Sequence, residues 1–272
     1  MTAGALTVYR WELRKLIAQK RTYLGLGAAT LVPLAFVIAL SVRSDRPNDI
    51  PFGRYVHQSG LAIPLVLLTF ASAFLFPLIS ALVAGDIFAS EDHNGTLKTI
   101  LTRSLERGQV FAGKALAAAT YAAVALVAMG IVAVVAGTAA SGFNPLTSLS
   151  GTTVSATHAL GLVAASMGVY LWPLLAVVCI GLLLSTITRN SAAAVVGTLV
   201  VAIMIQLIGI LPGLGSLSPY LLTSQFDAWQ GFLRQPTDWA PITRAAWVCA
   251  LYGLPALVAA YLVFLRRDVA GG

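Results

Sequence analysis

Six long apolar runs, separated by short polar or charged segments, set the pattern of the chain. They fall at about 23–42, 61–84, 110–137, 159–184, 192–211 and 245–265. A helix needs about 20 apolar residues to cross a bilayer, and each run meets that length. The runs are continuously apolar and lack the alternation of barrel strands, so helices are predicted. Ahead of the first run, residues 6–21 carry a different pattern. Leu6, Tyr9, Leu13, Leu16 and Ile17 recur at helical spacing, while Arg10, Arg14 and Arg21 point elsewhere. This predicts an amphipathic helix lying in the membrane interface, cations towards anionic head groups. After the fifth run, the outer segment 212–243 holds Leu222, Phe226, Trp229 and Leu233 at spacing 4, 3, 4. That stripe predicts a short helix at the outer face, either an aromatic anchor or a lid over an exit path.

Composition strengthens the membrane reading. The 272 residues are 58% hydrophobic and only 10% charged, against about 25% charged in a typical soluble domain. The expected fold is therefore all-α and integral to the membrane, a single six-span domain. No connecting segment is long enough for a soluble domain with its own core. The first run is full length, and Ser41-Val42-Arg43 offers no small-residue cleavage site, so it reads as a retained span. Pro33, Pro64, Pro77, Pro173 and Pro255 lie inside runs, where each can kink its helix.

Charge sets the expected orientation. Arg10, Arg14, Lys15, Lys20, Arg21, Lys98, Arg103, Arg107, Lys114, Arg189, Arg266 and Arg267 fall on one side, and Arg43, Arg46, Arg54, Arg234 and Arg244 on the other. This bias of 12 to 5 predicts both termini and the 85–109 loop to be cytoplasmic. The net charge of +7 is explained by these flanking cations, and no nucleic-acid partner is called for. Cys179 and Cys249 fall inside apolar runs and read as free thiols.

The spans themselves offer little chemistry. His158 sits at the start of the fourth, and Gln206 is the one amide well inside a run. Midplane carboxylates, expected of an ion-coupled carrier, are missing. There is no HExxH metal motif and no nucleophile–base set. A membrane-integral enzyme and a stand-alone carrier thus remain only as alternatives, and the energy for any transport is expected from outside the chain.

The loop 85–109 is the most charged segment in the middle of the chain. Its end, Gly108-Gln-Val-Phe-Ala-Gly113-Lys114-Ala115, nearly matches a phosphate-binding loop. Ala115 stands where the magnesium-binding hydroxyl is required, and the motif opens an apolar run instead of following a buried strand. Lys114 instead reads as a cation snorkelling at the boundary of the third span. Asn94-Gly95 is a turn signal, and Thr96 can cap a helix on which Leu97, Ile100, Leu101 and Leu105 share a face. Lys98 and Arg103 lie off that face. An apolar face on a polar loop calls for a groove to bury it.

The segment Glu91-Asp-His-Asn-Gly95-Thr96-Leu97-Lys-Thr-Ile-Leu101-Thr-Arg-Ser104, followed by Arg107 and Gly113-Lys114, resembles the E-x-x-x-G-T-L-x-x-x-L-x-x-P-x-x-R segment of type-2 ATP-binding-cassette permeases, the exporter class. The motif covers about 25 residues, while the layout of amphipathic helix, six spans and long outer segment is similar along the whole chain. Ser104 or Leu105 stands where the family often has Pro. The resemblance implies a permease with no cofactor of its own, ATP and magnesium being held by a separate cytoplasmic ATPase. It implies a second permease copy, with the substrate path between the two. Glu91, Gly95, Thr96, Leu97, Ile100, Leu101 and Arg103 would form the coupling site, and the helix bearing Arg10, Leu13, Arg14, Leu16 and Ile17 a second ATPase contact. The apolar spans suit a small hydrophobic or amphipathic cargo, such as a drug, antibiotic, lipid or peptide. A bacterial inner membrane is the expected location.

Overall fold

The computed structural model describes residues 3–42, 51–93, 106–188, 190–210 and 216–266. Among these, nearly all regular structure is helical. Helix α1 (Ala3–Ile17) leads into α2 (Lys20–Val42), and a 3₁₀ turn (Gly53–Tyr55) precedes α3 (Ala62–Ala73), α4 (Leu75–Ala84) and α5 (Ala89–His93). Then come α6 (Arg107–Ser141), α7 (Ala156–Ile187), α8 (Ser191–Ile210) and α9 (Trp239–Arg266). A two-residue hairpin of β1 (Leu146–Thr147) and β2 (Thr153–Val154) joins α6 to α7 in the register Leu146↔Val154, Thr147↔Thr153.

Five helices, α2, α6, α7, α8 and α9, are long and apolar enough to span a membrane. The sixth predicted span, 61–84, is not one rod. It breaks at Phe74 and bends by 60° between α3 and the segment that begins with α4. Pro77 supplies the physical reason: it has no N–H for the carbonyl four residues back, and its ring crowds that carbonyl. Position matters more than the presence of proline. Pro64 lies in the first turn of α3, where backbone N–H groups have no helical partner anyway. Pro33, Pro173 and Pro255 sit within helices that continue through them.

Three boundaries differ from the sequence reading. The interfacial helix ends at Ile17, so Lys20 and Arg21 open α2. Gln19 marks the corner, its Oε1 accepting from Arg21 Nε at 3.0 Å and Nη2 at 2.8 Å. At the other end, α9 begins at Trp239, inside the segment read as an outer loop. Asp238 Oδ1 accepts from Ala240 N at 3.1 Å, and Pro241 falls in the tolerant first turn. Helix α6 extends past its apolar run at both ends. Its 35 residues give about 52 Å at 1.5 Å per residue. A hydrocarbon core is about 30 Å thick, so several turns stand outside it. The Arg107–Lys114 end bears the charge.

The α1 helix packs along α6 through Ala5, Val8 and Leu16, all buried. Gly113 is the contact that permits this, because a Cβ there would lie 2.6 Å from a Val8 methyl and 2.9 Å from the Tyr9 backbone nitrogen. Tyr9 Oη and Thr120 Oγ1 lie 3.0 Å apart across the same seam. The buried face of α1 is thus Ala5, Val8, Glu12 and Leu16. Leu6 and Ile17, predicted to share the apolar face, are exposed beside Trp11, Arg10 and Arg14. Leu13 is half-buried. The face packed on α6 is organised around the Glu12 carboxylate.

Candidate functional site

The turn from α4 into α5 is where polar groups converge. Glu91 on α5, Glu12 on α1 and Lys114 on α6 are all buried, Lys114 completely. Lys114 Nζ donates to Glu12 Oε1 at 2.8 Å and lies 2.7 Å from Glu91 Oε2. It also reaches the Ile87 carbonyl at 3.3 Å and sits 5.7 Å from the centre of the Phe88 ring. Lys15 of α1 pairs with the other carboxylate oxygen of Glu91. Two lysines and two glutamates therefore form a charged quartet joining α1, α5 and α6. Phe88, Phe111 of α6 and Phe264 of α9 pack beside it, with ring centres 5.1 to 5.9 Å apart.

A second clamp lies at the preceding turn. Asp86 is buried and pairs with Arg21 at the start of α2 and with the Ser191 hydroxyl at the start of α8. A carboxylate at the N-terminus of α8 is also favoured by the helix dipole. Asn190 caps that helix, its Oδ1 accepting from Ala193 N at 3.0 Å. Ser185 of α7 completes the junction. Its Oγ accepts from Phe88 N at 3.0 Å and Ala89 N at 3.1 Å, satisfying backbone donors of the α5 turn. Arg107 of α6 donates to the Leu265 carbonyl of α9 at 2.7 Å, and Tyr121 of α6 donates to the Thr22 carbonyl of α2 at 3.2 Å. One short segment, 86–91, is thereby tied to α1, α2, α6, α7 and α8.

Of the residues expected to form the coupling site, the structure places Glu91 here. Gly95, Thr96, Leu97, Ile100, Leu101 and Arg103 lie outside the described residues. Both carboxylate oxygens of Glu91 engage lysines of its own chain. Lys114 corrects the sequence reading. It is not a snorkelling cation but the buried centre of the quartet. Sequence reasoning also passed over Glu12, Asp86, Ser185 and Ser191. Glu12 carried a usable signal, because it interrupts the spacing Ala5, Val8, Leu16 on α1, where a lone buried carboxylate needs a cation.

The outer stripe lies towards the other end of the bundle, on a run of 3₁₀ turns (Thr223–Leu233) packed against α7 and α9. Leu222, Phe226, Trp229 and Leu233 are all buried, with exposures of 2, 2, 0 and 1%. Phe226 meets Tyr170 of α7 edge-on at 4.9 Å, and Tyr170 meets Phe76 of α4 at 5.4 Å. Trp229 lies 6.3 Å from Phe52. The stripe faces the protein core and not the lipid boundary. Among the described residues no cluster of His, Cys, Asp or Glu is arranged to hold a metal ion.

A multi-pass bundle of apolar helices, charge-clamped at the end that carries a polar loop, defines a helical membrane protein. The family follows from sequence comparison: the model of the ABC-2 family transporter proteins matches residues 9–205, and the chain belongs to that family. The match takes in α1 from Tyr9 onward, the charged junction and the spans as far as Ile205 in α8. The chain is also 46% identical over 55 residues to the probable ABC transporter permease protein NosY of Stutzerimonas stutzeri. That alignment covers 20% of this chain and 20% of the relative, so the chain spans about a fifth of the length of the curated relative it matches. Family membership makes the protein a membrane permease component of an ABC transporter.

Proposed function

We propose that this chain forms the substrate path of an ATP-driven exporter and is moved by a separate cytoplasmic ATPase that docks on the 94–105 loop. The observation that carries the proposal is the wiring of segment 86–91. The loop leaves this segment on one side and enters α6 on the other, and both stems are fixed to the bundle by the two clamps. A push on the loop is then delivered to α1, α2, α6, α7 and α8 together, as rigid-body transmission requires. Glu91 serves inside this frame, while Leu97, Ile100 and Leu101 supply the apolar docking face.

The remaining features fit the same reading. Both termini and the loop face the cytoplasm of a bacterial inner membrane, and ATP and magnesium stay on the partner. Helices α2 and α8 expose Leu24, Leu31 and Ile38, and Val196, Val200 and Met204, which a second permease copy would cover. An apolar groove of about 510 Å³ between α6 and α7, lined by residues such as Leu126, Ile131, Val163 and Met167, suits hydrophobic cargo better than charged cargo. The outer 3₁₀ segment would close the path from outside. Purifying the tagged chain in mild detergent and identifying bound proteins by mass spectrometry tests the proposal. A cassette ATPase near one-to-one is expected. Recovery of the chain alone, under conditions that preserve other such complexes, would contradict it.

A further inference from the structure

We infer that Lys114 is a positioning residue that makes α1 a second transmission arm, locking it and the loop stem α5 onto α6 as one moving body; this rests on the permease reading above. Three observations carry it. First, Lys114 is completely buried and its ammonium group faces two carboxylates from different elements, Glu12 of α1 and Glu91 of α5. Second, Lys15 returns a bond from α1 to the same Glu91, so α1 and α5 are linked directly as well as through α6. Third, Gly113 lets α1 approach α6 closely, since a Cβ there would lie 2.6 Å from a Val8 methyl.

The arrangement is asymmetric, and that gives it a signature. Removing the Lys114 charge takes a buried cation from two buried carboxylates at once, Glu12 and Glu91. Removing the Glu12 charge leaves Lys114 still paired with Glu91. Charged groups deprived of a buried partner are strongly unfavourable, while removing both members of a pair is far milder. The Glu12 and Lys114 substitutions must therefore be non-additive. A structural surface ion pair would show neither the asymmetry nor the rescue.

Leu16 reports on the clamp, because it lies on the buried face of α1 and is 4% exposed. A Leu16→Cys reporter in broken membranes is labelled with a membrane-impermeant maleimide. Lys114→Met should speed labelling by about tenfold or more, the population shift that about 1.4 kcal/mol of α1 release would give. Glu12→Gln should have a smaller effect. The double variant Glu12→Gln with Lys114→Met should label more slowly than Lys114→Met alone. Unchanged labelling in Lys114→Met, or simple addition of the two effects, would overturn the clamp.

Transmission is read separately, with a cysteine at Ala140 near the far end of α6. In the complex with its ATPase, ATP plus vanadate should alter labelling of Ala140→Cys. The double variant should lose that response while its basal labelling stays at the parental rate. Retention of the response would overturn the transmission role. If the parent itself shows no nucleotide response, the ATPase-driven permease reading fails, whereas the Leu16 reporter still judges the clamp.

Discussion

Replacing Lys114 by Met removes one charge and little volume, so its effect isolates the quartet. Lys114 is fully buried, and the Glu12 and Glu91 side chains are 8% and 4% exposed. Neither carboxylate can recover its hydration without opening the α1–α6 seam. Breaking a buried pair from one side costs about 3–5 kcal/mol. For a chain of this size, each kcal/mol lowers the melting temperature by about 2–4 °C, so Lys114→Met should melt roughly 6–20 °C below the parent. The molecule contains its own control. Arg234 and Asp238 form an exposed pair at 3.7 Å, with side chains 58% and 37% exposed. Arg234→Gln should shift the midpoint by no more than about 4 °C, since such pairs contribute about 0–1 kcal/mol. Thermal denaturation of the purified chain in one detergent, followed by tryptophan fluorescence, measures both. A Lys114→Met midpoint as close to the parent as that of Arg234→Gln would refute the charge-paired quartet.

Gly113→Leu should force α1 off α6, costing about 1–3 kcal/mol by overpacking and raising protease sensitivity near the amino end. Gly27→Ala, where an added Cβ meets nothing within 4 Å, should be neutral or stabilise α2 by roughly 0.5–1 kcal/mol in the same assay. Trp229→Ala should lower stability by about 3–5 kcal/mol through the cavity left beside Phe52, measured as a fall in melting temperature. A wild-type midpoint would place that ring outside the core. Leu101→Asp should leave expression and insertion unchanged but abolish stimulation of transport by ATP, which vesicle uptake assays would detect.

The six apolar runs were legible because hydrocarbon admits only long apolar helices, and that constraint is written in local composition. The break at Phe74 was half-legible. Pro77 announced a possible kink, yet the sequence shows equally conspicuous prolines at 33, 173 and 255 that do not interrupt their helices. The Glu91 motif was visible, but the direction of its side chain was not, because that depends on Lys114 and Lys15, 23 and 76 residues away in sequence. Lys114 misled for the same reason. A cation near a span boundary looks like a snorkelling cation until the fold brings two carboxylates to it. On α1, hydropathy marked Leu6 and Ile17 for the lipid interface, but it did not mark the face packed on α6, where Ala5 and Val8 are set by ion pairing at Glu12 and close approach at Gly113. The outer stripe was found by its spacing. Its burial against α7 and α9 depends on distant partners such as Tyr170 and Phe76.

The most direct test of the account is site-specific photo-crosslinking in native membranes. A photoreactive phenylalanine analogue is placed at Leu101 in one variant and at Trp239, the first residue of α9, in another. The account predicts that Leu101 captures a soluble ATP-binding-cassette subunit and that Trp239 does not. Capture of no such subunit from Leu101, with the protein correctly inserted, or equal capture from both positions, would contradict it.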